Sequence, residues 1–293
     1  LYSYELGAFL TEWLRSEQPV LPTAMASWKM YLHYGDKRIV EEIYPYLRKR
    51  LRENGAGSLA GQCRRLLALK ITGELAAVFG DSIDTTALRN RIHKEHFDPR
   101  RNTYGSGPAL PLIAGAVPEY LVQHMYDALR KAPIEVDEDT PLLLAYLMKE
   151  ERHDLIHELA VQNINPSQER VDPALLGLGE WCIRCIGGIR PDPEHPGFKR
   201  FIIKPVLLDG LESAQARHRS AYGRIESRWK LGGGRLEMSI SVPPNCEALV
   251  HVPAPVKAIE CFEQCPGQIT FLGQDGGHSV YRVRSGGCRF RAN

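Results

Sequence analysis

Residues 187–205 read GGIRPDPEHPGFKRFIIKP, and the periodicity of the chain changes across them. Upstream, apolar residues recur at helical spacing; downstream, short alternating runs are broken by glycine and proline. Pro191, Pro193 and Pro196 each remove a backbone donor and disfavour helix at the residue before, so a helix arriving at Gly187-Gly188 must stop. Phe198, Phe201, Ile202 and Ile203 are expected to open a strand that Lys204-Pro205 ends. The stretch reads as a joint between a helical-hairpin domain, 1–188, and an all-β domain, 189–293.

Working back from the joint, each helix has a start signal. Asp172-Pro173 and Thr140-Pro141 combine a capping residue with a first-turn proline, and Pro118 opens the helix of Leu121, Met125 and Leu129. Ser58 is placed to cap a helix carrying Leu59, Cys63, Leu66, Leu67, Leu75 and Val78, closed by Gly80, with Thr85 to His96 as its shorter partner. Asp36 caps a helix whose Ile39, Val40, Ile43, Leu47 and Leu51 share one side, and Gly35 ends the helix before it. Leu6, Phe9, Leu10, Trp13 and Leu14 make the first apolar stripe. Roughly ten helical segments joined as hairpins suit a closed toroid of helix pairs, and no solenoid period is visible.

Working forward, strands are expected at 216–220, 223–231, 235–242, 248–252, 259–262, 269–272 and 279–284. Turn signals at Gly232-Gly233-Gly234, Pro243-Pro244-Asn245 and Gly276-Gly277 separate them. Leu236, Met238, Ile240 and Val242 keep strict period two, whereas Ile225 and Trp229 alternate only loosely with their charged neighbours. Seven short antiparallel strands predict a sandwich or jelly roll.

Composition narrows the function. A net charge of +2 provides no broad basic field, so nucleic acid is not implied, and the basic run Arg48–Arg52 reads as a solvated helix face. The longest apolar runs fall short of the ~20 residues a bilayer span needs. No signal peptide opens the sequence, which leaves both cytoplasmic and secreted bacterial settings open, and Leu1 reads as a cut end. Seven cysteines argue against a disulfide framework, and Cys182 and Cys185 read as buried thiols. His153 and His157 are spaced i, i+4, yet neither they nor His93 and His96 acquire a completed ligand shell, so neither metal nor cofactor is expected. Asn102–Gly107 is glycine-rich but lacks a phosphate-loop lysine, and it reads as a loop.

The run ALLGLGEWCIRCIGGIRPDPEHPGFKRFIIKP, followed by SAYGRIESRW and GGRLEMSISVPPNCEALVHVPA, resembles the C-terminal part of bacterial α-L-rhamnosidases of glycoside hydrolase family 78. The likeness is specific over 174–254. It extends more weakly to WKMYLHYGDKRIVEEIYPYLRKRL and DTPLLLAYLMKEERHDLIHELAVQ upstream. The resemblance implies a mainly α chain with an all-β domain: an incomplete (α/α)6 helical toroid followed by an antiparallel, jelly-roll-like β-sandwich. It also implies inverting release of terminal α-L-rhamnose from a rhamnose-containing glycoside or polysaccharide. A non-catalytic carbohydrate-binding or scaffold protein derived from that family is the alternative.

Inversion needs a carboxylic acid and a carboxylate about 6.5 to 9.5 Å apart, and the family's motifs for both are not found here. Its acidic cluster precedes the helix that begins this sequence. Its second glutamate falls where this chain has only NINPSQERVDP, and Asp172-Pro173 stands where a histidine is expected. The joints SEQPVLPTAM, ENGAGSLAG and KAPIEVDEDTP are short where the family has long loops. Such shortening implies either trimmed loops or residues missing between neighbours such as Gln162 and Asn163. The catalytic residues are therefore left unassigned. Trp28, Tyr104, Glu138, Asp139 and Asp172 are the candidate substrate contacts, with Glu135 and Asp137 in the same acidic cluster and Glu180 read as satisfying neighbouring backbone or an arginine rather than acting as an acid.

Overall fold

A computed structural model describes residues 20–52, 57–105, 109–131, 136–164, 172–254, 259–263 and 267–292. The apolar stripe of Leu6 to Leu14, Glu135, Cys265 and most of NINPSQERVDP lie outside the described residues. Two compact units emerge, 1–31 with 36–176 and 32–35 with 177–293.

The first unit contains helices. The chain enters through α1 (Val20–Tyr34), whose last turn counts with the second unit. Gly35, at φ 67°, ends α1, and Asp36 Oδ1 accepts from the Arg38 amide at 3.0 Å to start α2 (Lys37–Arg52). The buried face of α2 contains Ile39, Val40, Ile43, Leu47 and Leu51, the set its periodicity selects, plus Tyr44. Ser58 Oγ accepts from the Gly61 amide at 3.2 Å and caps α3 (Leu59–Ala77). This helix is the hub of the unit, touching α2, α4 (Thr86–His96) and α5 (Ala109–Ala114). Helices α6 (Glu119–Lys131), α7 (Thr140–Lys149) and α8 (His153–Asn163) follow, and α6 buries the expected Leu121, Met125 and Leu129. Helix α8 runs unbroken through Gln162 and Asn163. One expectation changes within 102–107. Thr103–Tyr104 (β2) is a strand paired with Phe97–Asp98 (β1), because Asn102 at φ 50° turns the chain back on itself.

The helix expected from Ala174 to Gly187 is three segments: a 3₁₀ turn (Pro173–Leu176), α9 (Gly177–Trp181) and a π-turn (Cys182–Ile186). The Gly187 amide closes the π-turn onto the Cys182 carbonyl at 2.8 Å. A Cβ on Gly187 would lie 2.1 Å from Ala216 Cβ, and one on Gly188 (φ 79°) 2.5 Å from the Pro205 nitrogen, so backbone must pass where no side chain fits. The proline-rich joint then contributes β3 (Ile189–Pro191), with its proline on an edge strand, and β4 (Arg200–Ile203). Phe198 is not in the strand it was expected to open. It sits buried at φ 64°, with its ring centroid 4.3 Å from that of His218.

The second unit holds an eight-stranded sheet built on two long strands, β7 (Arg235–Val252) and β10 (His278–Ala292). The others are β3, β4, β5 (Ser213–Ser220), β6 (Gly223–Gly232), β8 (Ile259–Glu263) and β9 (Ile269–Asp275). Pro243-Pro244-Asn245, expected as a turn between two strands, lies within β7. The register passes from Arg284 opposite Glu247 to Gly286 opposite Val242, leaving Pro243–Cys246 against Ser285 alone. This is a large bulge in one strand. Before it, β7 pairs with β6 and with the end of β10; after it, with β4 and the start of β10. Strands β8 and β9 divide the far edge of β10 at the same level. The sheet therefore has two halves, β5-β6-β7-β10-β8 and β3-β4-β7-β10-β9. Trp229, Phe201 and Phe290 are among its fully buried side chains. The loose alternation of β6 has a simple cause: Ser227, at 1% exposure, takes an inward position between Ile225 and Trp229.

Candidate functional site

A groove of about 730 Å³ opens in the helical unit. Its walls are Leu21 and Met25 of α1, Leu51 at the end of α2, Arg64 and Ala68 of α3, and Asp139 before α7. Its polar end is organised by Arg64. The guanidinium donates from Nε to Asp139 Oδ1 at 3.1 Å, and from Nη2 to both Asp139 oxygens at 2.9 Å and to Glu138 Oε1 at 2.5 Å. These bonds hold the Arg64 pKa above its ordinary value.

Local capping chemistry frees Asp139 for this contact. Asp137 Oδ1 accepts from the Asp139 amide at 2.9 Å, and Thr140 Oγ1 accepts from the Asp137 amide at 2.9 Å. Asp137 and Thr140 thus close the entry to α7, and the Asp139 carboxylate, which makes no capping bond, turns to Arg64. Two carboxylates adjacent in sequence and joined through one guanidinium offer fixed hydrogen-bond partners. They are not an acid and a base facing each other across a sugar.

Of the five candidate contacts, the structure brings Glu138 and Asp139 together at this groove. Trp28 is half-buried on α1 against the cluster of Ala24, Val40, Ile43 and Leu47, with its ring centroid 5.9 Å from that of Tyr31. Tyr104 is 1% exposed, and its hydroxyl is 2.7 Å from His93 Nδ1. Burial, followed by the nearby Cys63 and Tyr120, pushes its pKa up to about 12. Asp172 is exposed, and its carbonyl accepts from the Leu175 amide at 2.9 Å at the start of the 3₁₀ turn.

Arg64 was missed by reading the sequence. One available signal is that Gly61 and Ala68, at i−3 and i+4 from it, leave a shallow strip on α3, and both border the groove. Glu180 has the arginine partner expected of it, accepting from Arg184 Nη1 at 2.6 Å. His153 is buried and His157 exposed. Among the described residues, the ligand-type group that converges within 4.8 Å is Asp192, Glu194 and His195. Both of its carboxylates already accept from Arg200, so it reads as an ion-paired turn. The pair of buried thiols requires correction: Cys185 is buried but Cys182, the first residue of the π-turn, is exposed.

With this geometry in view, comparison with known proteins points to one class. Residues 188–262 match the family model described as the bacterial alpha-L-rhamnosidase C-terminal domain. An alpha-L-rhamnosidase of Streptomyces avermitilis is 33% identical over 113 residues, covering 39% of this chain and 10% of that protein. One from Formosa agariphila is 22% identical over 305 residues, covering 77% of this chain and 33% of that protein. That alignment is longer than the 293-residue chain, so the relative carries extra residues between matched segments.

Solved structures agree on the fold. The Streptomyces avermitilis alpha-L-rhamnosidase complexed with L-rhamnose superposes with a TM-score of 0.71 at 20% identity, covering 91% of this chain and 32% of that one. The alpha-L-rhamnosidase from Dictyoglumus thermophilum gives 0.70 at 19%, covering 93% and 39%. The chain is similar to α-L-rhamnosidases of glycoside hydrolase family 78 in sequence and in fold, and it spans between 10% and 39% of the length of these relatives.

Proposed function

We propose that this chain is part of an α-L-rhamnosidase-like glycoside hydrolase that acts on a rhamnose-containing glycoside or polysaccharide by inversion. The observation that carries the reading is the match of residues 188–262 to the rhamnosidase C-terminal domain. In this reading the helices of 1–188 are the hairpins of an incomplete (α/α)6 toroid. Residues 189–293 form a β-sandwich whose two layers are the half-sheets exchanged at the Pro243–Cys246 bulge. Glu138 and Asp139, held by Arg64, contact sugar hydroxyls at the groove. Trp28, Tyr104 and Asp172 are assigned to the same substrate side on the resemblance alone.

The test is ligand-observed NMR with L-rhamnose, together with a nitrophenyl α-L-rhamnoside assay. Selective binding of L-rhamnose over D-galactose supports the substrate class, and absence of binding overturns it. If sugar is released, the β-anomer appearing first supports inversion, and the α-anomer appearing first refutes it. Turnover by this chain would also refute the reading that its acid and base motifs are absent.

A further inference from the structure

The solvent face of the half-sheet β5-β6-β7-β10-β8 holds a second groove, of about 540 Å³, whose lining includes Gln215, Arg228, Ser239, Phe262 and Arg289. These five residues form one continuous row across the strands. Gln215 pairs with Arg228, Arg228 with Ser239, Ser239 with Arg289, and Arg289 with Phe262. Alternation along the strands explains their common direction: Ile225, Ser227 and Trp229 of β6, Met238 and Ile240 of β7, and Cys288 and Phe290 of β10 all point into the core.

The charge on this face is unbalanced in a specific way. Among the acids on this face, Glu226, which itself lines the groove, pairs with Arg217 and Arg224, Glu237 bonds Arg291 at 3.0 Å, and Glu260 stands opposite Arg291 in the β8–β10 register. Arg228 and Arg289 are exposed, and among the described residues no carboxylate pairs with either. They stand on β6 and β10 with β7 between them, two strand spacings or about 10 Å apart. The half-buried Ser239, Ser241 and Gly287 form the floor between them. Phe262, 44% exposed, walls the far end of the row, with the Arg291 guanidinium 5.0 Å from its ring centroid.

From this we infer a binding site for an anionic oligosaccharide, a chain of sugar acids whose carboxylates are taken by Arg228 and Arg289 while Gln215, Ser239 and Ser241 hydrogen-bond its hydroxyls. Planar guanidinium groups bind carboxylates in two-point fashion, and two of them about 10 Å apart suit carboxylates on separate sugar units of one chain. Recognition of the anion rests on the groove itself. The choice of a glycan to carry the charge rests on the proposed glycosidase reading.

Calorimetric titration of the whole chain with trigalacturonate tests the site, with neutral maltotriose and inorganic sulfate as controls. Saturable binding of trigalacturonate, none of maltotriose, and a loss of affinity of about tenfold or more in the double variant R228A/R289A are expected. Both arginines are solvent-facing, so an unchanged melting temperature in the double variant verifies the fold. Absence of binding, equal binding by the double variant, or sulfate binding in place of trigalacturonate overturns the proposal. Rhamnose recognition without trigalacturonate binding sinks this site and spares the hydrolase reading; the reverse pattern does the opposite.

Discussion

The indole Nε1 of Trp229 donates a 2.7 Å hydrogen bond to the carbonyl oxygen of Ile186, the last residue of the π-turn. Two neighbouring carbonyls are satisfied similarly. Arg190 Nε donates to Arg184 O, and the Val206 amide donates to Cys185 O, both at 2.9 Å. A helix end leaves carbonyls without intrahelical partners, and here strand and joint residues from the same unit supply the donors. Trp229→Phe removes the donor and leaves a void at a side chain with 0% exposure. It should lower unfolding stability by about 2–4 kcal/mol, measured by denaturant titration of the β-sheet signal.

Two glycines of this segment, Gly187 after the turn and Gly179 in the helix before it, should respond with opposite signs. Gly187→Ala drives a Cβ to 2.1 Å from Ala216 Cβ and should destabilise by about 1–3 kcal/mol. Gly179→Ala meets nothing within 4 Å inside α9 and should stabilise by up to about 1 kcal/mol. Thermal melts of the two variants beside the parent chain check both signs.

At the helical groove, Arg64→Met keeps the aliphatic stem but strips the donors from Asp139, whose side chain is only 15% exposed. A loss of about 1–3 kcal/mol is expected. Glu138→Gln should change stability by less than about 0.5 kcal/mol, because Glu138 is 79% exposed. Denaturant midpoints read at the helical signal separate the two.

Alkaline pH should weaken the fold through two buried thiols. Cys63 is pushed from 9.0 up to about 12 by burial, with Asp139 adding to the shift; Cys288 is raised from 9.0 to about 12 by burial and Cys261. Between those values the unfolded chain has lost protons that the folded chain keeps, so stability falls as pH rises from 9. Each thiol contributes about 1.4 kcal/mol per pH unit. Cys63→Ala should remove one group's share of that slope, seen by comparing denaturant midpoints at pH 8 and pH 10.

Thiol accessibility gives an independent reading of the same core. A water-soluble alkylating reagent should label Cys182 and Cys261 in the native protein and reach Cys63, Cys185, Cys246 and Cys288 only after unfolding. Peptide mapping before and after denaturant distinguishes the sets.

Much of the fold was legible wherever a local rule and the tertiary structure agree. The buried face of α2, the Ser58 cap and the stop at Gly187-Gly188 each depend on residues within a few positions of one another. Pro243-Pro244-Asn245 misled because turn chemistry is a local signal. Whether the chain turns or bulges there depends on β10, β6 and β4, which pair on either side of it.

The candidate groove was half legible: an acidic cluster before a helix is visible in sequence, whereas its arginine lies 75 residues away. Periodicity and capping residues by themselves determined where helices give way to strands and which faces turn inward, since those preferences are paid out within one or two turns of chain. Contacts between distant segments alone decided that Arg64 ties Glu138 and Asp139, that Gly187 must carry no side chain, and that Arg228 and Arg289 share one row. The reason is geometric: steric fit and charge pairing act through space, and only the folded backbone sets which residues are neighbours.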